Sequence, residues 1–116
     1  MIRIARASEI AHYADIERLQ KEVWQFEDRE IIPRNELITI ARNGGVVLGA
    51  WDGARMVGFV FGFLGLDGTR LQHASRMVAV LPEYRNSGVG RKLKEAQRRF
   101  VVRQGVTLTT WTFDPL

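Results

Sequence analysis

The stretch from Met77 to Leu93 carries the residues best suited to chemistry. An apolar run reaches Pro82, followed by Glu83-Tyr84-Arg85-Asn86-Ser87-Gly88-Val89-Gly90-Arg91-Lys92, so that two glycines open directly into an amphipathic segment. The first N–H groups of a helix have no acceptor inside the helix. Together with the helix dipole they make an anion site. Gly88 and Gly90 lack a Cβ and let a phosphate come close to the backbone, and Arg85 and Arg91 can add charge-assisted hydrogen bonds. One charge at an exposed helix N-terminus gains only about 0.3–1 kcal/mol. Useful affinity therefore needs several amides and the arginines together. A nucleoside-triphosphate loop would require Gly-x-x-x-x-Gly-Lys-Ser/Thr, and here Gly90 is followed by Arg91-Lys92, without a hydroxyl for magnesium. A dinucleotide fingerprint would require a third glycine where Leu93 stands, and an acidic residue about 20 positions on, where Asp114 closes a strand.

The elements that must hold this loop follow from patterning. Ile2–Arg6 alternates apolar and basic residues, as a short strand does. Ser8 is the expected cap of a helix with Glu9 in its first turn, and Tyr13, Ile16, Leu19, Val23 and Phe26 form its apolar stripe. The helix stops before Pro33; a shorter one runs from Asn35-Glu36 to about Arg42 and ends at Asn43-Gly44-Gly45. Val46–Trp51, the turn Asp52-Gly53, Arg55–Leu66, the turn Asp67-Gly68 and Leu71–Val80 read as a three-stranded meander. Pro82 ends the pairing because it has no N–H. Val89, Leu93, Ala96 and Phe100 mark a helix closed by Gln104-Gly105, and Val106–Phe113 reads as a last strand. The expected order is β-α-α-β-β-β-α-β. Its last β-α-β unit makes Leu71–Val80 and Val106–Phe113 parallel, in a mixed α/β or α+β fold that shares one sheet.

Composition narrows the field. A chain of 116 residues is the size of one domain, taken as residues 1–116. There is no cysteine, which excludes disulfides and thiol catalysis, and two histidines are too few for a metal cluster. The apolar run Met56–Leu66 is interrupted by Gly58, Gly62 and Gly65 and falls short of the roughly 18–20 residues of a membrane span. The N-terminus has no secretory apolar region, so the expected location is the cytoplasm, with no membrane partner. The net charge of +4 belongs almost wholly to one segment, where Arg91, Lys92, Lys94, Arg98, Arg99 and Arg103 face only Glu95. Such a run is either a solvated helix face or the footprint of an anionic partner. A nucleic-acid-binding module is one reading, but Phe100 is the lone aromatic on that helix and falls on the apolar stripe, so nucleic acid is not the expected partner.

Arg85-x-x-Gly88-x-Gly90, after Val78-Ala79-Val80-Leu81-Pro82-Glu83-Tyr84, resembles the acyl-CoA-binding motif of the GNAT superfamily of N-acetyltransferases. The element order from Ile2 to Phe113 is similar to the first two-thirds of that fold. The ending Thr110-Trp111-Thr112-Phe113-Asp114-Pro115-Leu116 looks like that of a subgroup of predicted acetyltransferases. The resemblance implies an acyl-CoA-dependent N-acyltransferase, with acetyl-CoA as cosubstrate and a primary amine as acceptor that attacks directly in a ternary complex. It implies that the amides of Arg85, Asn86, Ser87, Gly88, Val89 and Gly90, with Arg91 close by, hold the CoA pyrophosphate. It also implies that the main chain of Val78, Ala79 and Val80 holds the pantetheine arm, one N–H polarising the thioester carbonyl.

Such a reaction needs a base for the ammonium acceptor. His73 lies on the strand leading to the acetyl site, on the same face as Ser75, and is the candidate base; a structural polar role competes. Glu83 is expected in solvent, Tyr84 in packing, and Trp24, Trp51 and Trp111 in a core or interface. The family continues with another helix and two strands, so this C-terminal portion is expected to be missing and activity of the chain to be weak or absent. The strand Val106–Phe113 would then be an open sheet edge, which favours a homo-oligomer paired there. A non-catalytic acyl-CoA-binding protein of the same fold is the alternative.

Overall fold

The computed structural model describes residues 1–27 and 29–111. Its elements are β1 (Ile2–Arg6), α1 (Ile10–Trp24), α2 (Arg34–Arg42), β2 (Val46–Asp52), β3 (Arg55–Asp67), β4 (Arg70–Val80), a 3-10 turn (Pro82–Tyr84), α3 (Val89–Arg103) and β5 (Leu108–Trp111). The strands form one sheet in the order β1-β2-β3-β4-β5. The first four are antiparallel and β5 runs parallel to β4. The expected order and the parallel last pair are both present. Residues 112 and 113 of the expected last strand lie outside the described residues. No helix among the described residues is long and apolar enough to cross a membrane.

Side chains directly opposite one another on antiparallel strands share a face. Phe59 and Phe61 face α1: Trp24 meets Phe59 edge-on at 6.3 Å and the two phenylalanines stack at 6.2 Å. The intervening Gly58, Val60 and Gly62 face α3, where a Cβ on Gly58 would lie 3.3 Å from Leu93. The sheet is thus sandwiched between α1 with α2 on one side and α3 on the other. Ile16, Leu19, Leu37, Leu48, Phe59, Phe61 and Leu93 are fully buried in this core.

Two local expectations are corrected. Glu9, not Ser8, is the N-cap of α1. The His12 side chain reaches back instead, its Nδ1 accepting from the N–H of Ser8 at 3.1 Å and of Glu9 at 3.3 Å. At the other end α1 stops at Trp24, with Gln25 in the left-handed region at φ 56°. Phe26 therefore leaves the helical stripe and stacks on Trp24 at 5.4 Å.

The β3–β4 ladder contains a feature that periodicity does not show. Pairing steps from Phe61↔Met77 to Gly62↔Ser75, so Arg76 is an extra residue in β4. Such a β-bulge bends its strand and increases the local twist. It also resets the alternation: His73 and Ser75 face α3 below the bulge, and Val78 and Val80 face it above. Among the described residues, β5 pairs with Gln72–Ser75, below the bulge.

Candidate functional site

Above the bulge, Val78, Ala79 and Val80 pair with Val60, Phe59 and Gly58. The chain then leaves the sheet through a hydrogen bond from Leu81 N–H to Val57 O of 2.9 Å. Pro82 starts the 3-10 turn, where its missing N–H costs nothing. Asn86 then takes φ 67°, and Gly88, the N-cap of α3, takes φ 86°. A Cβ at Gly88 would meet nothing within 4 Å, so the backbone conformation, not space, calls for glycine there.

Within the turn, Arg85 N–H donates to Pro82 O at 3.2 Å, Ser87 N–H to Tyr84 O at 3.4 Å, and Lys92 N–H to Gly88 O at 3.0 Å. Among the described residues, the N–H groups of Asn86, Gly88, Val89, Gly90 and Arg91 have no protein acceptor. They border an exposed cleft of about 320 Å³ between Val80, Tyr84, Arg85, Asn86 and the Gly88–Arg91 turn. The arrangement has the elements of an anion cradle: unpaired amides, the positive end of a 15-residue helix and the exposed Arg85. Arg91 stands beside it, 3.2 Å from Glu95 one helical turn on.

A second and larger cleft, about 690 Å³, lies between Lys94, Gln97, Arg98 and Val101 of α3 and Thr107 and Thr109 near β5. Size favours this one, but its described lining comes from the body of α3 and the β5 region and not from a helix N-terminus. The smaller cleft has the chemistry that an anion needs.

His73 is fully buried beneath α3. Its Nε2 lies 2.9 Å from Gln97 Nε2, which also donates to Ser75 Oγ at 3.1 Å. With the Gln97 amide donating, the imidazole proton sits on Nδ1; that atom and Gln97 Oε1 are buried with no partner among the described residues. Burial, and then the Lys94 charge, hold the His73 pKa below its ordinary 6.5. A base must come within hydrogen-bond reach of the proton it takes, directly or through one water. The His73 ring is fully buried, and its contact with Gln97 links β4 to α3, the structural polar role that competes with the expected base.

This seat has a consequence for stability. The native imidazole stays neutral where the unfolded one takes a proton, so stability is full above about pH 6.5 and falls as the pH drops toward the lower native pKa. In urea denaturation the wild type is expected to lose midpoint concentration between about pH 7.5 and 5.5, and His73→Gln to lose less. Equal slopes for both proteins would contradict this seat.

The other expectations divide. Trp51 is buried in the core, as expected, and meets the His12 ring at 5.0 Å. Glu83 is half exposed and lies 3.3 Å from Arg55. Tyr84 does more than pack: its hydroxyl donates to Asp52 Oδ2 at 2.5 Å. Neither the Tyr84–Asp52 contact nor the Arg76 bulge has a signal in the sequence, because the partners are far apart in the chain.

With this geometry in view, the comparisons with known proteins are consistent. Residues 42–115, more than half of the chain, match the family model described as an acetyltransferase (GNAT) domain. A search of curated protein sequences returns no match. Among solved structures, an aminoglycoside acetyltransferase from an uncultured soil metagenomic sample, in complex with trehalose, superposes with a TM-score of 0.84 at 18% identity, over 98% of this chain and 78% of that one. The ribosomal-protein-alanine N-acetyltransferase from Brucella melitensis biovar Abortus 2308 gives 0.78 at 16% identity, over 100% and 83%. AAC(6')-Iy, in complex with the bisubstrate analogue CoA-S-monomethyl-acetylneamine, gives 0.76 at 19% identity, over 99% and 81%. At these identities the superpositions speak for the fold, the GNAT acyl-CoA N-acyltransferase fold. The family match covers β2 through β5 together with the glycine turn, and on it the chain belongs to the GNAT family of acetyltransferases.

Proposed function

We propose that the chain binds an acyl-CoA, with acetyl-CoA foremost, at the Arg85–Gly90 turn and takes part in acyl transfer to a primary amine. The observation that carries this reading is the set of unpaired amides of Asn86, Gly88, Val89, Gly90 and Arg91 around an exposed cleft at the head of α3. In this proposal those amides hold the pyrophosphate, with Arg85 and Arg91 adding charge. The main chain of Val78, Ala79 and Val80 orients the pantetheine arm and offers an N–H to the thioester carbonyl. The cosubstrate supplies an acyl group already activated as a thioester, so no nucleophile from the chain is required. Amines of the kinds named for the structural neighbours, an aminoglycoside and a ribosomal-protein alanine, are the acceptors to try first.

Gly90 separates folding from binding. A Cβ there would lie 3.7 Å from Val80 Cγ2, an ordinary contact, and its φ is not in the left-handed region. Gly90→Ala is therefore expected to fold as well as the wild type while placing a methyl group where a diphosphate would approach the backbone. Calorimetry should show acetyl-CoA binding by the wild type and a dissociation constant raised roughly tenfold or more in Gly90→Ala, about 1.4 kcal/mol per factor of ten. Wild-type protein that binds no acetyl-CoA sinks the reading.

The burial of His73 favours a second reading, a non-catalytic acyl-CoA-binding protein, because it sets the base named from the sequence apart from solvent. Binding without turnover of either amine class selects it.

A further inference from the structure

The turn that carries the unpaired amides is exposed from Glu83 through Gly88 except for half-buried Tyr84, yet it must hold its amides in register to meet a diphosphate. Apart from the bond from Arg85 N–H to Pro82 O, its internal hydrogen bonds converge on one residue. The Tyr84 carbonyl accepts from both the N–H and the hydroxyl of Ser87, and Tyr84 N–H donates to Leu81 O at 2.9 Å. The Tyr84 ring packs against the core, and its hydroxyl reaches Asp52 at the end of β2, 32 residues away in sequence, at 2.5 Å.

Asp52 is itself well seated. It closes the register of β2 with β3 opposite Arg55 and with β1 opposite Ile2, and the hairpin turn follows at Gly53 with φ 62°. A second tether runs from the same hairpin, Arg55 to Glu83 at 3.3 Å, but both side chains are half exposed. Solvent screening leaves such a pair about 0–1 kcal/mol. The phenol–carboxylate bond is short, charge-assisted and partly sheltered, the stronger kind. The hydrogen bond to Asp52, then burial, then the Asp52 charge all raise the tyrosine pKa, so the phenol stays protonated and donating.

We propose that the Tyr84–Asp52 hydrogen bond latches the Arg85–Gly90 turn to the β2–β3 hairpin, making Tyr84 and Asp52 positioning residues for acyl-CoA. The latch is a feature of the fold; its role in binding rests on the acyl-CoA reading above. A turn released from the hairpin samples conformations in which its amides no longer converge, and each lost conformer population lowers the apparent affinity in proportion.

The test uses Tyr84→Phe, which keeps the ring, Asp52→Ala, the double variant, and Asp52→Asn, which still offers an oxygen to the phenol. Arg55→Ala tests the exposed tether. Hydrogen exchange of the Arg85 and Ser87 amides, the two that donate to carbonyls within the turn, is expected, without any CoA, to quicken roughly tenfold in Tyr84→Phe and Asp52→Ala and to stay near wild type in Arg55→Ala. Unchanged exchange overturns the latch whether or not CoA binds. Calorimetry with acetyl-CoA, at a temperature where every variant is fully folded, is expected to give about a tenfold weaker dissociation constant for Tyr84→Phe and for Asp52→Ala. The double variant should be no weaker than either single one, and Asp52→Asn should recover most of the loss. Additive losses, or Tyr84→Phe within about twofold of wild type, overturn the positioning role. Wild-type protein that binds no acetyl-CoA overturns the acyl-CoA reading and the positioning role with it, while the exchange result still decides the latch.

Discussion

Gly62→Ala is expected to destabilise the protein by about 3 kcal/mol or more, a loss on the order of 10 °C in melting temperature for a chain of this size. Gly62 sits in the middle of β3, buried, on the face toward α3. A Cβ there would lie 2.4 Å from His73 Nε2 and 2.6 Å from the carbonyl oxygen of Ala74. Neither neighbour yields cheaply. The imidazole is fully buried and bonded to Gln97, and Ala74 is paired in the β3–β4 ladder opposite Phe63. Relief requires β3 and β4 to separate at the bulge or His73 to leave Gln97. Gly65→Ala in the same strand is the control: its Cβ would come no closer than 3.9 Å to Gln72, and a change within about 0.5 kcal/mol is expected. Thermal melts of the two variants decide the matter. A Gly62→Ala loss below about 1 kcal/mol would mean that the contact between β3 and β4 is looser than these distances.

The contrast between Gly62 and Gly65 shows where sequence reasoning reaches its limit. In the sequence both glycines merely interrupt an apolar run; only the fold places one of them against a histidine ring and a carbonyl. Signals that are local in the chain were legible. The period-two runs, the Asp52-Gly53 and Asp67-Gly68 turns and the Val89–Phe100 stripe mark β2, β3, β4 and α3 to within a residue or two, since their hydrophobic pattern and turn chemistry lie in the same few residues. The glycine turn was legible for the same reason: Pro82, Gly88 and Gly90 each constrain the backbone at their own position. The pairing of β1 with β2, the extra residue Arg76 in β4 and the seat of His73 were not legible. Each is decided by partners more than ten residues away in the chain. His73 is the instructive case. Its residue type invites an acid–base role, but the room left by Gly62 and the amide of Gln97 draw it beneath α3. The cap of α1 shows the same thing at short range, where Glu9 takes the cap position that Ser8 offered and His12 reaches back to accept its N–H.

Gln20→Leu is expected to cost about 2–4 kcal/mol, although it exchanges a polar side chain for an apolar one of similar size in a fully buried position. On composition alone the change should help. It fails because of what Gln20 holds: its Nε2 donates to Ile32 O at 2.9 Å and its Oε1 accepts from Ile32 N–H at 2.7 Å. The amide thus pairs with Ile32 as a neighbouring strand would, and fastens the connection between α1 and α2. Leucine would leave both backbone groups of Ile32 without partners in a partly buried place. An orphaned buried donor or acceptor costs more than the net gain of a typical hydrogen bond, so two of them outweigh the transfer of the side chain. The neighbouring clasp makes the comparison. Glu17 accepts from Arg34 N–H at 2.7 Å and from Arg34 Nε at 2.9 Å. Burial works to raise the Glu17 pKa, and the hydrogen bonds and charge of Arg34 outweigh it, so the carboxyl is held below its ordinary range. Yet Arg34 is half exposed and solvent can take over its bonds, so Arg34→Ala should cost only about 1 kcal/mol or less. Urea denaturation of Gln20→Leu and Arg34→Ala therefore ranks a neutral buried amide above a charged pair at the same junction; the reverse order would show that the α1–α2 connection is held by charge and not by the satisfaction of its backbone.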